Sequence, residues 1–181
     1  MDLGKNVDLE RLKKRDAEAL NNWVHRNYDD IYRLLRHLTR QREAAEDLAQ
    51  QTFLKAIQAL PGYRGEASHK TWLSRIAFRE YIAWRRKRRL FLPLEALSPK
   101  VDRNFQSVED GEALLSALHM LPSALRETFL LFEVQQLTIE EIAEITGSPV
   151  GTVKSRLHHA RTRMQSMLES TYPKEIRYEC R

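Results

Sequence analysis

The chain has 181 residues, 30% of them charged and 42% hydrophobic, with a net charge of +5, a balance that fits one large globular domain or two small ones. Its single cysteine, Cys180, excludes an intrachain disulfide and a metal site built from thiolates. With only 6 Gly and 6 Pro, long helices are favoured over turn-rich β structure.

The N-terminus, Met1 to Lys14, is charged and lacks an apolar core, so no signal peptide is expected. No apolar run approaches the length of a membrane span. A reducing cytoplasm is the expected location. The positive charge permits a polyanionic partner without requiring one.

The sequence predicts an all-α chain of two small helical domains joined by a flexible linker. An N-terminal tail (1–15) leads into a first helical block (16–89). A linker (90–108) carrying Pro93 and Pro99, which break helical continuity, separates it from a second block (109–170) and a C-terminal tail (171–181).

Three helices are expected in the first block. From Ala17 to Arg40, the residues Leu20, Val24, Ile31, Leu34, Leu35 and Leu38 recur at helical spacing. From Ala44 to Leu60, the apolar stripe is Ala45, Ala49, Phe53, Ala56, Ile57 and Leu60, and Pro61-Gly62 ends the helix. Opposite it, Asp47, Gln50, Gln51 and Leu54 share one face at i, i+3, i+4 and i+7. Taken alone, that polar stripe reads as plain solvent exposure.

The third helix spans Thr71 to Arg89, with Leu73, Ile76, Ala77 and Trp84 on its buried side. The loop Tyr63 to Lys70 feeds it, and it ends in Arg85-Arg-Lys-Arg-Arg89. Between Lys70 and Arg89 stand eight basic residues and one acid, Glu80, interleaved with Trp72, Tyr81 and Trp84. Positive charge with flat aromatics suits single-stranded DNA, where charge tracks the backbone and rings stack on bases. The plainer alternative places the tryptophans in the core and uses the arginines to complement the helix C-terminus.

The second block predicts four helices. A short one, Glu112 to Met120, stops at Leu121-Pro122. Ser123 is placed to cap the next, which carries Leu125, Phe129 and Leu130. Thr138-Ile-Glu-Glu141 has the form of a capping box and opens a helix running to Thr146. Ser148 is placed to cap the last helix, with Pro149 at its first position.

The stretch from Thr138 to Gln165 has the spacing of a helix-turn-helix. Ala143 is small where two helices cross, Gly147 suits a turn with positive φ, and Val153 packs back. The first helix carries Glu140, Glu141 and Glu144, whereas Val150 to Gln165 contains no acid. A helix that approaches phosphates should lack carboxylates. Val150, Val153, Leu157, Ala160 and Met164 form the expected buried stripe. Gly151, Thr152, Lys154, Ser155, His158 and His159 then face outward, where a major groove would meet them. A solvated hairpin with a basic face is the plain alternative.

Together these segments resemble sigma factors of the extracytoplasmic-function group (group 4 of the sigma-70 family). Glu46-Asp-Leu-Ala-Gln-Gln-Thr-Phe-Leu54 is similar to that family's helix for the polymerase clamp. Tyr63-Arg-Gly-Glu-Ala-Ser68 with Thr71-Trp-Leu73 is similar to its promoter −10 loop and following helix. Leu121-Pro122, Gly147 and Gly151-Thr-Val-Lys-Ser-Arg156 are similar to the domain that reads the −35 element. The resemblance runs from about residue 16 to 169, and three motifs in order are more specific than one. After Ile76-Ala77 the family commonly shows Arg-Asn and, four residues on from that Asn, an Asp; here Phe78-Arg79 and Ala83 stand instead.

The resemblance implies a transcription initiation factor that binds core RNA polymerase (its beta and beta-prime subunits), recognises promoter DNA and promotes melting. Core binding is implied for Asp47, Gln50, Gln51 and Leu54. The −10 contacts are implied for Arg64, Ser68, His69, Lys70, Trp72, Arg75, Arg79, Arg85 and Arg86, with a flipped non-template base held by the loop. The −35 contacts are implied for Thr152, Lys154, Ser155, Arg156, His158, His159 and Arg161. An anti-sigma factor, often membrane-bound in this group, is the implied regulator. No cofactor, metal, small-molecule substrate or catalytic residue is expected: no catalytic triad, paired-carboxylate site or phosphate-binding loop is seen. The competing readings are a stand-alone helix-turn-helix regulator and an RNA-binding adaptor.

Overall fold

The computed structural model describes residues 9–91 and 109–171, and these fall into two compact helical units. No strand occurs among the described residues.

The first unit packs three helices, α1 (Ala17–Thr39), α2 (Arg42–Ala59) and α3 (His69–Phe91), each against the other two. Asp16 starts α1: its carboxylate accepts the Ala19 backbone N–H at 2.9 Å, as an N-cap should. That hydrogen bond holds the Asp16 carboxyl below its ordinary value, with the Arg11 guanidinium adding to the effect. Arg40, at φ 61°, ends the helix in the left-handed conformation. Leu60–Gly62 forms a single 3₁₀ turn that ends α2.

Ile31, Leu34 and Leu35 from α1 meet Leu48, Ala49, Phe53 and Ala56 from α2 in the core, with Leu73, Ala77, Phe78 and Tyr81 from α3. Burying a side chain of this size contributes about 1.5–3 kcal/mol. Three details depart from the sequence expectation. Residues 9–13 of the expected tail are helical, and Leu12 is buried. α3 runs on through Leu90 and Phe91, so the helix takes the first two residues assigned to the linker. On α3 it is Phe78 and Tyr81 that fill the core, while Ile76 and Trp84 are half-buried. The rest of the expected linker and the C-terminal tail, Cys180 included, lie outside the described residues.

In the second unit, α4 (Glu109–Met120), α5 (Ser123–Glu133) and α6 (Ile139–Thr146) each pack against α7 (Val150–Thr171). Leu118, Leu121, Leu130, Leu131, Ile142, Val153, Leu157 and Ala160 form the core. Arg126 is buried beside them and donates through Nη1 to the carbonyls of Leu121 (3.2 Å) and His119 (3.4 Å). A guanidinium thereby satisfies carbonyls at the end of α4, which would otherwise lack partners.

Ser123 does not cap α5. Pro122 occupies the cap position, with φ −51° and ψ 144°, and its carbonyl accepts the first helical bonds from Leu125 and Arg126. The proline ring holds that φ, and Ser123 becomes the first helical residue. The expected capping box is present in full: Thr138 accepts the Glu141 N–H at 3.2 Å, and the Glu141 carboxylate accepts the Thr138 N–H at 2.9 Å. Gly147 closes α6 at φ 63°.

Ser148 is likewise not a cap for α7. The Pro149 carbonyl accepts the Val153 N–H at 3.1 Å and opens the helix, so Pro149 stands before its first residue. The Ser148 hydroxyl instead accepts from Arg156 Nη1 at 2.9 Å. An i to i+8 tertiary partner has taken the oxygen that a local rule assigned to the backbone.

Candidate nucleic-acid interface

The outer face of α7 follows from its inner one. Val153, Leu157, Ala160 and Met164 are buried at spacings of three and four. Val150 lies on the same face one turn earlier but is 38% exposed, because it opens the helix with no preceding turn to cover it. The sequence expectation puts it in the buried stripe. Lys154, Ser155, His158 and His159 are exposed, and Thr152 is half-buried. The two imidazole rings lie 5.6 Å apart, tilted by 58°. No carboxylate lies on α7 before Glu169.

Two basic residues of the same helix point back into the unit. Arg156 is half-buried against Ser148. Arg161 Nη2 lies 2.9 Å from the Glu133 carboxylate, and its guanidinium carbon sits 5.2 Å from the centre of the Phe132 ring. Both join α7 to its supports: one to the turn before it, the other to α5.

In the first unit, the loop between α2 and α3 is shaped by its own side chains. Tyr63 is buried, and its hydroxyl donates to the Ala67 carbonyl. Gly65 sits at φ 77°, in the left-handed region that glycine tolerates best. Ser68 caps α3: its Oγ accepts the Thr71 N–H at 3.0 Å and lies 2.6 Å from the Thr71 hydroxyl. His69 is half-buried, its ring 5.1 Å from Tyr63 and 6.3 Å from Trp23. Trp72 packs on Tyr63 at 4.7 Å. Lys70 Nζ lies 3.8 Å from Asp30. Arg64, by contrast, is exposed.

Along α3, Arg79 and Arg86 are exposed and Arg75 and Arg85 half-buried. The Arg85 guanidinium lies 5.4 Å over the Tyr81 ring, and that of Arg88 5.3 Å over Trp84. Tyr81 is 1% exposed, so it is a core residue that anchors Arg85 and not a platform for bases. Phe78 and Ala83 stand where the family shows polar residues; the first is buried and the second exposed.

On α2, Asp47, Gln50, Gln51 and Leu54 are all exposed, and Leu54 keeps 61% of its surface open. None of the four makes a hydrogen bond or ion pair among the described residues. The inner face carries Ala45, Leu48, Ala49, Thr52, Phe53 and Ala56. Lys55 reaches Glu80 on α3 at 2.6 Å and ties the two helices together.

A cavity of about 710 Å³ lies between this loop and α1. Ala19, Asn22, Trp23, Arg26 and Asn27 of α1 line it opposite Gly65–His69, with Tyr63 between. The sequence had assigned α1 only a core stripe. Position-by-position periodicity shows which face is apolar, not which face a later loop folds over.

Among the described residues, no group of three or more His, Cys, Asp or Glu side chains gathers to hold a metal, and no helix is long and apolar enough to cross a membrane.

Comparison with known proteins bears on both units. The sigma-70 region 2 family model matches residues 23–91, and the sigma-70 region 4 model matches 111–164. The chain is 30% identical over 173 residues to the RNA polymerase sigma factor YlaC of Bacillus subtilis, covering 91% of this chain and 99% of that protein. It is 31% identical over 177 residues to the ECF RNA polymerase sigma-E factor of Haemophilus influenzae, covering 89% and 93%. Among solved structures, it resembles the sigma factor RpoE of Bartonella quintana, seen in complex with the anti-sigma factor NepR, with a TM-score of 0.70 and 27% identity over 82% of this chain and 96% of that one. Region 2 and region 4, in order and over most of the length of these relatives, place the chain in the sigma-70 family as an alternative sigma factor of the extracytoplasmic-function group, acting in transcription initiation.

Proposed function

We propose that the chain brings core RNA polymerase to promoters by a division of labour among three surfaces. Asp47, Gln50, Gln51 and Leu54 on α2 dock on the polymerase. The loop from Arg64 to Lys70, with the basic outer face of α3, holds the −10 element once it is single-stranded. Lys154, Ser155, His158 and His159 meet the −35 element in the major groove, with Thr152 beside them. The observation that carries this is the outward face of α7, basic and free of carboxylates over its first 19 residues, Val150 to Leu168. Such a face suits a polyphosphate partner.

The mechanism is selection of an opened state. Exposing unpaired bases costs a few kcal/mol, and stacking with a fitted pocket offsets that cost. Arg156 and Arg161 act by positioning α7, since both are engaged within the unit. Ser68 acts by shaping the loop. No bond is made or broken by this chain; the polymerase performs the chemistry.

Working beside the polymerase places the protein in the cytoplasm. An anti-sigma factor that covers the polymerase- and DNA-binding surfaces is the simplest regulator, and the Bartonella quintana sigma factor seen with NepR supports that class of partner.

Transcription by core polymerase reconstituted with the chain, on a genomic promoter library, tests the reading. Promoter-specific transcripts that depend on the chain are expected. Tight, specific duplex binding by the free chain without core polymerase would instead indicate a stand-alone regulator, and a preference for structured RNA would indicate an adaptor.

A further inference from the structure

We infer that α1 supplies the second wall of the −10 base site, with Asn22 reading the edge of the unpaired base and Arg26 holding its phosphate. This rests on the assignment of the Arg64–Lys70 loop to the −10 element.

The cavity between α1 and the loop is the starting observation. At about 710 Å³, it falls within the range of clefts that enclose small organic groups, roughly 300–1,000 Å³. Its α1 lining falls at positions 19, 22, 23, 26 and 27, which is one continuous helical face. That face therefore confronts the loop as a unit.

The chemistry of the lining suits a nucleotide. Tyr63 and Trp23 are buried and form the packed aromatic floor, while His69 is half-buried and keeps part of its flat surface open; the rings pack with one another and with Trp72. Flat surfaces of this kind hold unpaired bases by stacking. The Trp23 Nε1 group is buried and has no hydrogen-bond partner among the described residues, an uncommon state for a donor. Asn22 is exposed and carries both a donor and an acceptor on one amide, the pairing geometry that a base edge needs. Arg26 is exposed and makes no ion pair among the described residues, so its charge is available to a phosphate.

Of the other polar groups of the lining, Arg11, Ser68 and Asn27 are engaged, while Glu66 on the loop is exposed. Arg11 pairs with Asp16 at 2.9 Å and Glu18 at 3.1 Å. Ser68 is held by Thr71. Asn27 donates to the Trp23 carbonyl at 2.7 Å. Asn22 and Arg26 remain as the α1 side chains able to turn toward a ligand.

The test uses holoenzyme assembled from core polymerase and the full chain. The probe is a fluorescent single-stranded oligonucleotide carrying the non-template −10 strand of a promoter that this holoenzyme transcribes. Each position is varied through all four bases. Wild type should show one position of strong base preference. Asn22→Ala should flatten that preference by about tenfold while leaving other positions unchanged. Arg26→Ala should weaken binding of every sequence by about five- to tenfold. Both side chains are exposed, so thermal melting should match wild type. If wild type discriminates and neither variant changes the pattern, the α1 wall is overturned while the loop assignment stands. If wild type does not bind the strand, the loop assignment itself falls and takes the inference with it. If either variant loses affinity for core polymerase, this face of α1 docks protein and the inference is overturned.

Discussion

Arg161 of α7 lies 2.9 Å from the Glu133 carboxylate on α5, which fastens the middle of α7 to its scaffold. The same guanidinium covers the Phe132 ring. Because both partners are partly exposed, the pair contributes little on its own, about 0.2–1 kcal/mol. Arg161→Ala should therefore lower the stability of the second unit by under about 1 kcal/mol, read by denaturant melting. It should leave −35 base preference unchanged. A change in base preference without a change in stability would show that Arg161 leaves Glu133 to contact DNA.

Lys154→Ala should act differently. Its side chain is exposed, with no partner among the described residues. The variant should bind −35 duplex more weakly, with the salt slope reduced by about one, and should retain normal affinity for core polymerase. Loss of core binding would contradict the division between the two units.

Asp47→Lys combined with Gln51→Ala should weaken core polymerase binding by tenfold or more, on the order of 1.4 kcal/mol. The melting temperature should not move, since neither side chain is buried. An unfolded double mutant, or one with unchanged affinity, would move the polymerase surface away from α2.

Gly147→Ala probes the turn of the helix-turn-helix. A methyl group at this position meets nothing within 4 Å, so the cost is conformational and not steric crowding by neighbours. With φ at 63°, the penalty should be about 1–2 kcal/mol, seen as a lower melting temperature of the second unit. A neutral effect would mean that the turn relaxes out of the left-handed region.

His37, near the end of α1, offers a pH test of the first unit. Burial pushes its pKa below the ordinary 6.5, and the nearby Arg36 and Arg33 charges add to that. The unfolded chain therefore takes up the proton first as pH falls. The stability tied to the neutral ring is present above about 6.5 and is lost below it, down to the depressed folded value. His37→Gln should flatten the pH dependence of stability in that window. An unchanged slope would assign the acid sensitivity to other groups.

Much of this architecture was legible from local rules. Thr138, Glu141 and Gly147 act on atoms within four residues, so spacing alone located the helix-turn-helix. The exposed stripe on α2 was legible too, because its opposite face is apolar apart from Thr52, whose hydroxyl is satisfied by the Leu48 carbonyl. What escaped were side chains claimed by distant partners. The local rule assigns Ser148 to a helix start, yet Arg156, eight residues on, takes its hydroxyl. Sequence interleaving groups Tyr81 with the base-facing aromatics, yet it is sealed in the core. Arg126 gave no local signal for closing the end of α4. The α1 wall of the cavity exists only once the loop folds across it.

The hydroxyl pair of Ser68 and Thr71 has a practical consequence for rewriting promoter choice. These two residues set where α3 begins, so altering them would shift the loop and the helix together. Arg64 and Glu66 lie in the same loop but are exposed, outside that joint. Variation at these two positions, with Asn22 across the cavity, gives a small addressable set that leaves the structural frame in place. Sigma factors with new promoter preferences are best sought there.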